Sequence, residues 1–231
     1  MLYSLQIILK VLRKVVTIIG ALFLLALVFM LVEYYNDPST KVVPQNAYKD
    51  WEKLHLDDTL FKTGDIILRD SKGFFSQCFK DFSLTDKAYS HSGVIIKDTL
   101  SGKFYVYHCV GGEENITNYM KKDRLEVFVS PKSNYKFGVY RYAISPTELK
   151  AFTTGILQHY QNKMDFDLDM DIGTDEKMYC SEIIYKTLRI TSKKDYIAIT
   201  HAFGKQYVAL DNLYLNEITK QIIKINYEKN N

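Results

Sequence analysis

Eighteen consecutive residues, from Val15 to Val32, read VVTIIGALFLLALVFMLV and contain neither a charge nor a proline. As a helix rising about 1.5 Å per residue, this run spans roughly 27 Å, close to the hydrocarbon thickness of a bilayer. Lys10, Arg13 and Lys14 stand immediately before it, and Glu33 and Asp37 come after it. Basic residues ahead of a first span hold the N-terminus in the cytoplasm and send the downstream chain across the membrane. A cleaved signal peptide has a shorter apolar core, about 7–15 residues, ending in small residues. This run ends Phe29-Met30-Leu31-Val32-Glu33-Tyr34-Tyr35, with no small-residue cleavage site and no cysteine for lipid attachment. The expected organisation is a short cytoplasmic N-terminus over 1–14, a single transmembrane anchor over 15–32, a linker over 33–45 and an exported domain over 46–231.

Hydrophobic residues make up 47% of the chain and charged residues 25%, which suits one globular domain plus a short extra segment. The net charge of +3, with no dense Lys/Arg stripe beyond the N-terminus, gives no reason to expect a nucleic-acid partner. The cysteines Cys78, Cys109 and Cys180 are odd in number, so one thiol stays free or pairs with another molecule. There is no CxxC pair and no Cys/His cluster at zinc spacing, so neither a metal nor a cofactor is expected. Cys78 and Cys109 are candidates for a disulfide in an exported domain.

A short polar helix is expected around Trp51. Thr63-Gly64-Asp65-Ile66-Ile67-Leu68 reads as a turn entering a buried strand, and Phe74–Phe82 as a short helix. Strand-like runs come next at Gly93–Lys97, Phe104–Cys109, Leu125–Val129 and Lys136–Tyr142, and Ser101-Gly102 makes the first two an antiparallel hairpin. Ser145-Pro146-Thr147-Glu148 is a capping box with proline at the first helical position, and Leu149, Phe152, Ile156, Leu157 and Tyr160 then recur at helical spacing. A second helix begins at about Cys180, and a last strand covers Gln221–Asn226. Strands clustered centrally with helices on either side make an α+β domain, its antiparallel sheet packed against helices.

Cys180, in Tyr179-Cys180-Ser181-Glu182, stands where an irregular acidic stretch passes into an amphipathic helix. Free N–H groups and the positive dipole end at a helix start favour a thiolate and can bind an oxyanion. The bland alternative is a buried structural cysteine. His91, in Ser90-His91-Ser92-Gly93-Val94, opens a strand, and Gly93 leaves room for close approach of a backbone or ligand. An imidazole there can serve a thiol as base if strand and helix pack together. His108 lies on the next strand and can orient His91 as the third member of a triad.

The ordered set Gly64-Asp65-Ile66-Ile67, Ser90-His91-Ser92-Gly93-Val94 and Tyr179-Cys180-Ser181-Glu182 resembles the permuted NlpC/P60 proteins of the YiiX/YebB-like family. Asp165-Phe166-Asp167 resembles the acidic-aromatic stretch those proteins carry ahead of the cysteine. The likeness spans about Thr63 to Tyr227. It implies a permuted papain-like core with Cys180 as nucleophile, His91 as base and a polar third residue. Many relatives carry glutamate at the third place; this chain has His108, as in the lecithin:retinol acyltransferase branch, with Glu113 or Glu114 as substitutes if the register shifts. Met164 stands where tyrosine is common. Asp65, Tyr179, Asp165 and Glu182 are the residues expected at the substrate.

Asp165, Asp167, Asp169, Asp171 and Glu176 have the spacing of a calcium loop, but the sixth place is Met170 where the turn needs glycine, so calcium is set aside. Asn115-Ile116-Thr117 matches a glycosylation sequon, a pattern frequent by chance. His55, His159 and His201 have no partner at a telling spacing. The expected protein is a membrane-anchored cysteine hydrolase acting on an amide, such as a cell-wall-type peptide, through a Cys180 thioester. Transfer or hydrolysis of lipid acyl chains and a non-catalytic membrane-surface module are the alternatives, and the oligomeric state is open.

Overall fold

A computed structural model of the chain describes residues 2–36, 58–111 and 118–227. The expected helix at Trp51, most of the linker, Glu113, Glu114 and the sequon lie outside them. Two compact units are present, Met1–Asp37 and Pro38–Asn231.

The first unit is one helix, α1 (Leu2–Asn36), longer than the apolar run alone. Its segment Lys10–Val32 is long and apolar enough to cross a membrane, and every residue of it is exposed. Backbone hydrogen bonds are satisfied internally along such a helix, so its ends extend beyond the apolar stretch at little cost.

The second unit is built on a six-stranded, wholly antiparallel sheet. Its strands are β1 (Ile66–Ser71), β2 (His91–Lys97), β3 (Phe104–His108), β4 (Lys121–Arg124), β5 (Asn134–Tyr142) and β8 (Thr219–Asn226), in the spatial order β4-β3-β2-β1-β5-β8. A separate hairpin pairs β6 (Thr200–Ala202) with β7 (Lys205–Tyr207). The helices are α2 (Phe74–Phe79), α3 (Leu125–Phe128), α4 (Pro146–Gln161) and α5 (Cys180–Ser192). The β2–β3 hairpin forms as its turn residues predict. Gly102 takes φ +68°, and the Asp98 carboxylate accepts the Ser101 amide at 2.7 Å and the Leu100 amide at 3.1 Å.

Both faces of the sheet are covered, so the central strands are buried throughout. Ile66, Leu68, Val94 and Ile96 face the helices and meet Phe152 and Ile156 of α4 and Ile183 and Ile184 of α5. Ile67, Ile95, Val106 and Val139 point the other way and pack with Leu125 and Phe128. This split follows from the two-residue period of a strand. The α4 cap is the expected one: Ser145 Oγ accepts the Glu148 amide at 3.2 Å, and Glu148 Oε2 accepts the Ser145 amide at 2.9 Å. The two helices approach closely at Gly155, where a Cβ would lie 2.6 Å from Thr187 Cγ2.

One strand differs from expectation. Leu125–Val129 is not extended: Leu125–Phe128 is a single helical turn, and the polar segment Lys121–Arg124 is the strand. β4 is an edge strand with all four residues half-exposed, so backbone pairing to β3 holds it and no apolar alternation is needed. Leu125 and Phe128, three apart, instead bury one face of a turn.

Asp65 ties the entry of β1 to β5. Its carboxylate accepts Arg141 Nε at 2.6 Å and Nη2 at 2.8 Å, and also the Lys62 amide at 2.8 Å. Asp65→Ala is expected to lower unfolding free energy by about 1–3 kcal/mol, because it strands the Lys62 amide and a partly exposed guanidinium. A fall in urea midpoint at constant slope would register this; an unchanged midpoint would remove Asp65 from the stability of the fold.

Candidate active site

The segment before α5 is tightly held. The Met178 amide donates to the Asp165 carbonyl at 3.0 Å, and Asp165 bridges to both Lys177 and Tyr119. The buried Tyr179 hydroxyl accepts the Val208 amide at 2.8 Å, and Ser181 Oγ donates to the Val208 carbonyl at 2.6 Å. Glu182, fully buried in the first turn, accepts the Tyr179 amide at 3.2 Å and lies 2.9 Å from Lys186 Nζ. These bonds start the helix at Cys180 and leave its thiol half-buried at the N-terminus.

Burial pushes the Cys180 thiol above its ordinary pKa. The hydroxyl and amide of Ser92, and the amides of Ser181 and Cys180 itself, pull the other way without overcoming it. The helix start therefore does not make the resting cysteine a thiolate, as the sequence alone suggested; desolvation is the larger effect. Ser92 Oγ is buried with no aligned hydrogen bond of its own, so it is placed to donate once the sulfur carries charge. Burial likewise raises the Glu182 carboxyl to about 7, against the pull of Lys186.

The histidines form a chain on the other face of the sheet. His91 Nε2 is 2.8 Å from His108 Nδ1, and His108 Nε2 is 3.0 Å from Asp123 Oδ2. The register explains the alignment. Val94 pairs with Tyr107, so His108 lies diagonally from His91 on the same face; Val106 pairs with Asp123, so Asp123 lies diagonally from His108. Phe128 packs against both rings, with centroids 5.8 Å from His91 and 5.1 Å from His108. Arg69 pairs with His91 across β1 and β2 and holds its guanidinium 4.4 Å from the Phe128 ring. Burial lowers the pKa of both imidazoles, and Arg69 and Lys121 lower them further, while Asp123 raises that of His108. The Asp123 carboxyl is held at about 2 against its own burial by His108 and Lys121.

Ser92, the neighbour of His91 in β2, is the residue that faces Cys180. Cys180 faces Ser92, and successive strand residues point to opposite faces, so Ser92 turns to α5 and His91 to Phe128. Among the hydrogen bonds of the described residues, none joins Cys180 Sγ to His91. His91 is the first residue of β2.

Of the residues expected at the substrate, three are committed internally. Asp65 is paired with Arg141, Tyr179 with the Val208 amide, and Glu182 with the Tyr179 amide and Lys186; all are at most 2% exposed. Their polar groups are engaged within the fold. Asp165 keeps partial exposure beside the segment that leads to Cys180. His108 is hydrogen-bonded to His91, the partner expected for it. No disulfide joins Cys78 to Cys109: all three cysteines are free, with Cys78 exposed and Cys109 buried. Sequence reasoning missed Asp123, Arg69, Ser92 and Phe128. Phe128 lies in the Leu125–Val129 run expected as a strand and Asp123 just before it, where a Lys-Lys-Asp-Arg run carries no signal beyond its charge.

Residues 60–210 match the model of the permuted papain-like amidase enzymes of the YaeF/YiiX, C92 family. The chain belongs to this family. A comparison with curated protein sequences finds no match. Among solved structures, the chain is similar to one described as the metalloprotein yiiX from Escherichia coli O157:H7. Their TM-score is 0.57 at 17% identity, covering 71% of this chain and 97% of that one, which establishes the shared fold. That description names a metalloprotein; in this chain, among the described residues, no three of His, Cys, Asp and Glu converge as ligands. Three of the four ring nitrogens in the histidine pair are already used, two on each other and one on Asp123.

Ser92→Ala is expected to raise the midpoint of Cys180 alkylation in pH, because a donor to the thiolate is lost while the thiol is unaffected. Iodoacetamide labelling across pH, resolved from Cys78 and Cys109 by peptide mapping, measures it. An unmoved midpoint would mean that Ser92 does not support the charged sulfur.

Proposed function

We propose that the chain is a membrane-anchored cysteine amidase in which Cys180 attacks the carbonyl of an amide and His91 is the general base. The observation that carries this reading is the placement of Cys180 at the first turn of α5 against Ser92, one residue from an imidazole buried in a relay to Asp123. Family membership supports the reaction class.

The thiol is pushed up in pKa and the imidazole down, so the resting pair is neutral. Attack therefore proceeds with proton transfer from Sγ to His91 Nδ1, the nitrogen that the bond to His108 leaves over. The Cys180 and Ser181 amides at the helix start stabilise the oxyanion. The imidazolium gives its proton to the leaving amine, a thioester remains on Cys180, and water hydrolyses it with His91 again as base. This reading requires the His91 ring to approach the sulfur when substrate binds, since among the described residues no hydrogen bond joins the two.

Lys10–Val32, exposed along its whole length and uncharged from Val15 onward, is read as a single membrane span with the N-terminus cytoplasmic and the domain exported. A peptide of the cell-wall type is the substrate suited to that location. Asp165, partly exposed ahead of Cys180, favours a substrate with an amine near the scissile bond.

Amine release from cell-wall-type peptide fragments by the full-length chain in detergent tests this. Cys180→Ser and His91→Ala are each expected to lower turnover by at least about 100-fold with the fold retained. The rate should hold as pH falls through 6.5 and drop only well below it, because burial keeps His91 neutral past its ordinary pKa. Full activity of either variant, or cleavage confined to lipid vesicles, would overturn the reading.

A further inference from the structure

We propose that Asp123 is a positioning residue that fixes the tautomers of His108 and His91, and thereby keeps the lone pair of His91 Nδ1 for the Cys180 thiol. This rests on the reading of His91 as base and adds to it a fourth group on a strand that touches neither sulfur nor substrate.

The argument is one of counting protons along three atoms in contact. An ionised carboxylate only accepts, so at 3.0 Å His108 Nε2 must carry the hydrogen and donate it to Asp123 Oδ2. A neutral imidazole has a single N–H, so His108 Nδ1 is then bare and accepts. At 2.8 Å its partner, His91 Nε2, must be the donor. That uses the one N–H of neutral His91 and leaves Nδ1 with its lone pair. Without an acceptor at Asp123, the His108 proton is free to sit on Nδ1, and the bond between the rings reverses. His91 Nε2 becomes the acceptor, its own proton moves to Nδ1, and the atom that should take the thiol proton already holds one.

Asp123 also bears on the charge that appears during attack. When His91 becomes an imidazolium, it does so buried beside Arg69 from β1, with Lys121 of β4 facing the same pair. Among the described groups that face His91 and His108, Arg69 and Lys121 are cationic and Asp123 is an anion. The extra proton stays on His91, and His108 remains neutral, donating to the carboxylate and accepting from His91. No proton passes to Asp123, whose part is to hold the direction of both bonds. The backbone enforces this arrangement, since Asp123 lies one diagonal step from His108 in the β3–β4 register.

A structural role for Asp123, pinning the edge strand, makes a different prediction. Histidine-selective 15N labelling of the full-length chain in detergent, read through long-range proton couplings, reports both tautomers directly. Wild type is expected to show Nε2–H on both His91 and His108. Asp123→Ala should shift both rings towards Nδ1–H and lower kcat by about 10–100-fold, with KM and the pH midpoint of Cys180 alkylation unchanged. Asp123→Glu should recover part of kcat together with the Nε2–H signals. Unchanged tautomers in Asp123→Ala, or a loss of kcat that tracks only lowered thermal stability, overturns the proposal. If His91→Ala retains activity while the tautomers still follow Asp123, the reading of His91 as base fails and the control of tautomers by Asp123 stands.

Discussion

Two neutral imidazoles 2.8 Å apart in a protein interior share one proton between their facing nitrogens, and the site is organised by that constraint. It demands that each ring be told which nitrogen to protonate, and an apolar sheet supplies no such instruction by itself. The six strands provide it through register. β2, β3 and β4 are paired so that one residue from each lies on a diagonal, and the outermost is a carboxylate at the solvent-facing edge. An acid is tolerated there because Asp123 is one-quarter exposed and lies 3.9 Å from Lys121 Nζ, whereas the same group in the centre of the sheet would need a buried counter-charge.

The same burial that orders the histidines sets the resting electrostatics. Desolvation dominates at Cys180, His91 and His108, and in each case it favours the neutral form. The helix start, Ser92 and the local amides are too weak to ionise the thiol in advance, yet they are aimed at the charge that develops on the sulfur and on the oxyanion. Arg69 adds to the bias by disfavouring an imidazolium at His91. A site of this kind keeps a buried ion pair from forming when no substrate is present, and places its polar groups where they are needed in the transition state.

Much of the fold was legible because local chemistry and tertiary context agreed. Ser145 and Glu148 close their capping box, Ser101-Gly102 turns the β2–β3 hairpin, and Cys180 begins a helix. The ordered motifs around Asp65, His91 and Cys180 pointed to the family. What the motifs did not reveal is how their neighbours are bonded internally: Asp65 closes the turn before β1, Tyr179 binds the Val208 amide and Glu182 caps the helix that begins at Cys180. A motif records which residues a geometry requires, and many of those requirements are internal. Asp123 was invisible for the opposite reason. Edge strands are held by backbone pairing, so Lys121–Arg124 has no hydrophobic period, while the apolar Leu125–Phe128 beside it imitates a strand.

Gly93 connects the sequence motif to the relay. Continuing the register from Val94 and Tyr107 by one residue sets Gly93 opposite His108, on the face that also carries His91. A Cβ at Gly93 would come within 3.1 Å of His108 Cβ and the Tyr107 carbonyl, and 2.5 Å from Val106 Cγ1, a stiff β-branched side chain with nowhere to go. Any side chain there would push β3 outward and take the His108 ring away from His91. The spacing of histidine, one residue, then glycine is therefore explained by the diagonal contact between the two imidazoles. Ser92, the residue between them, is left to face the thiol from the other side of the strand.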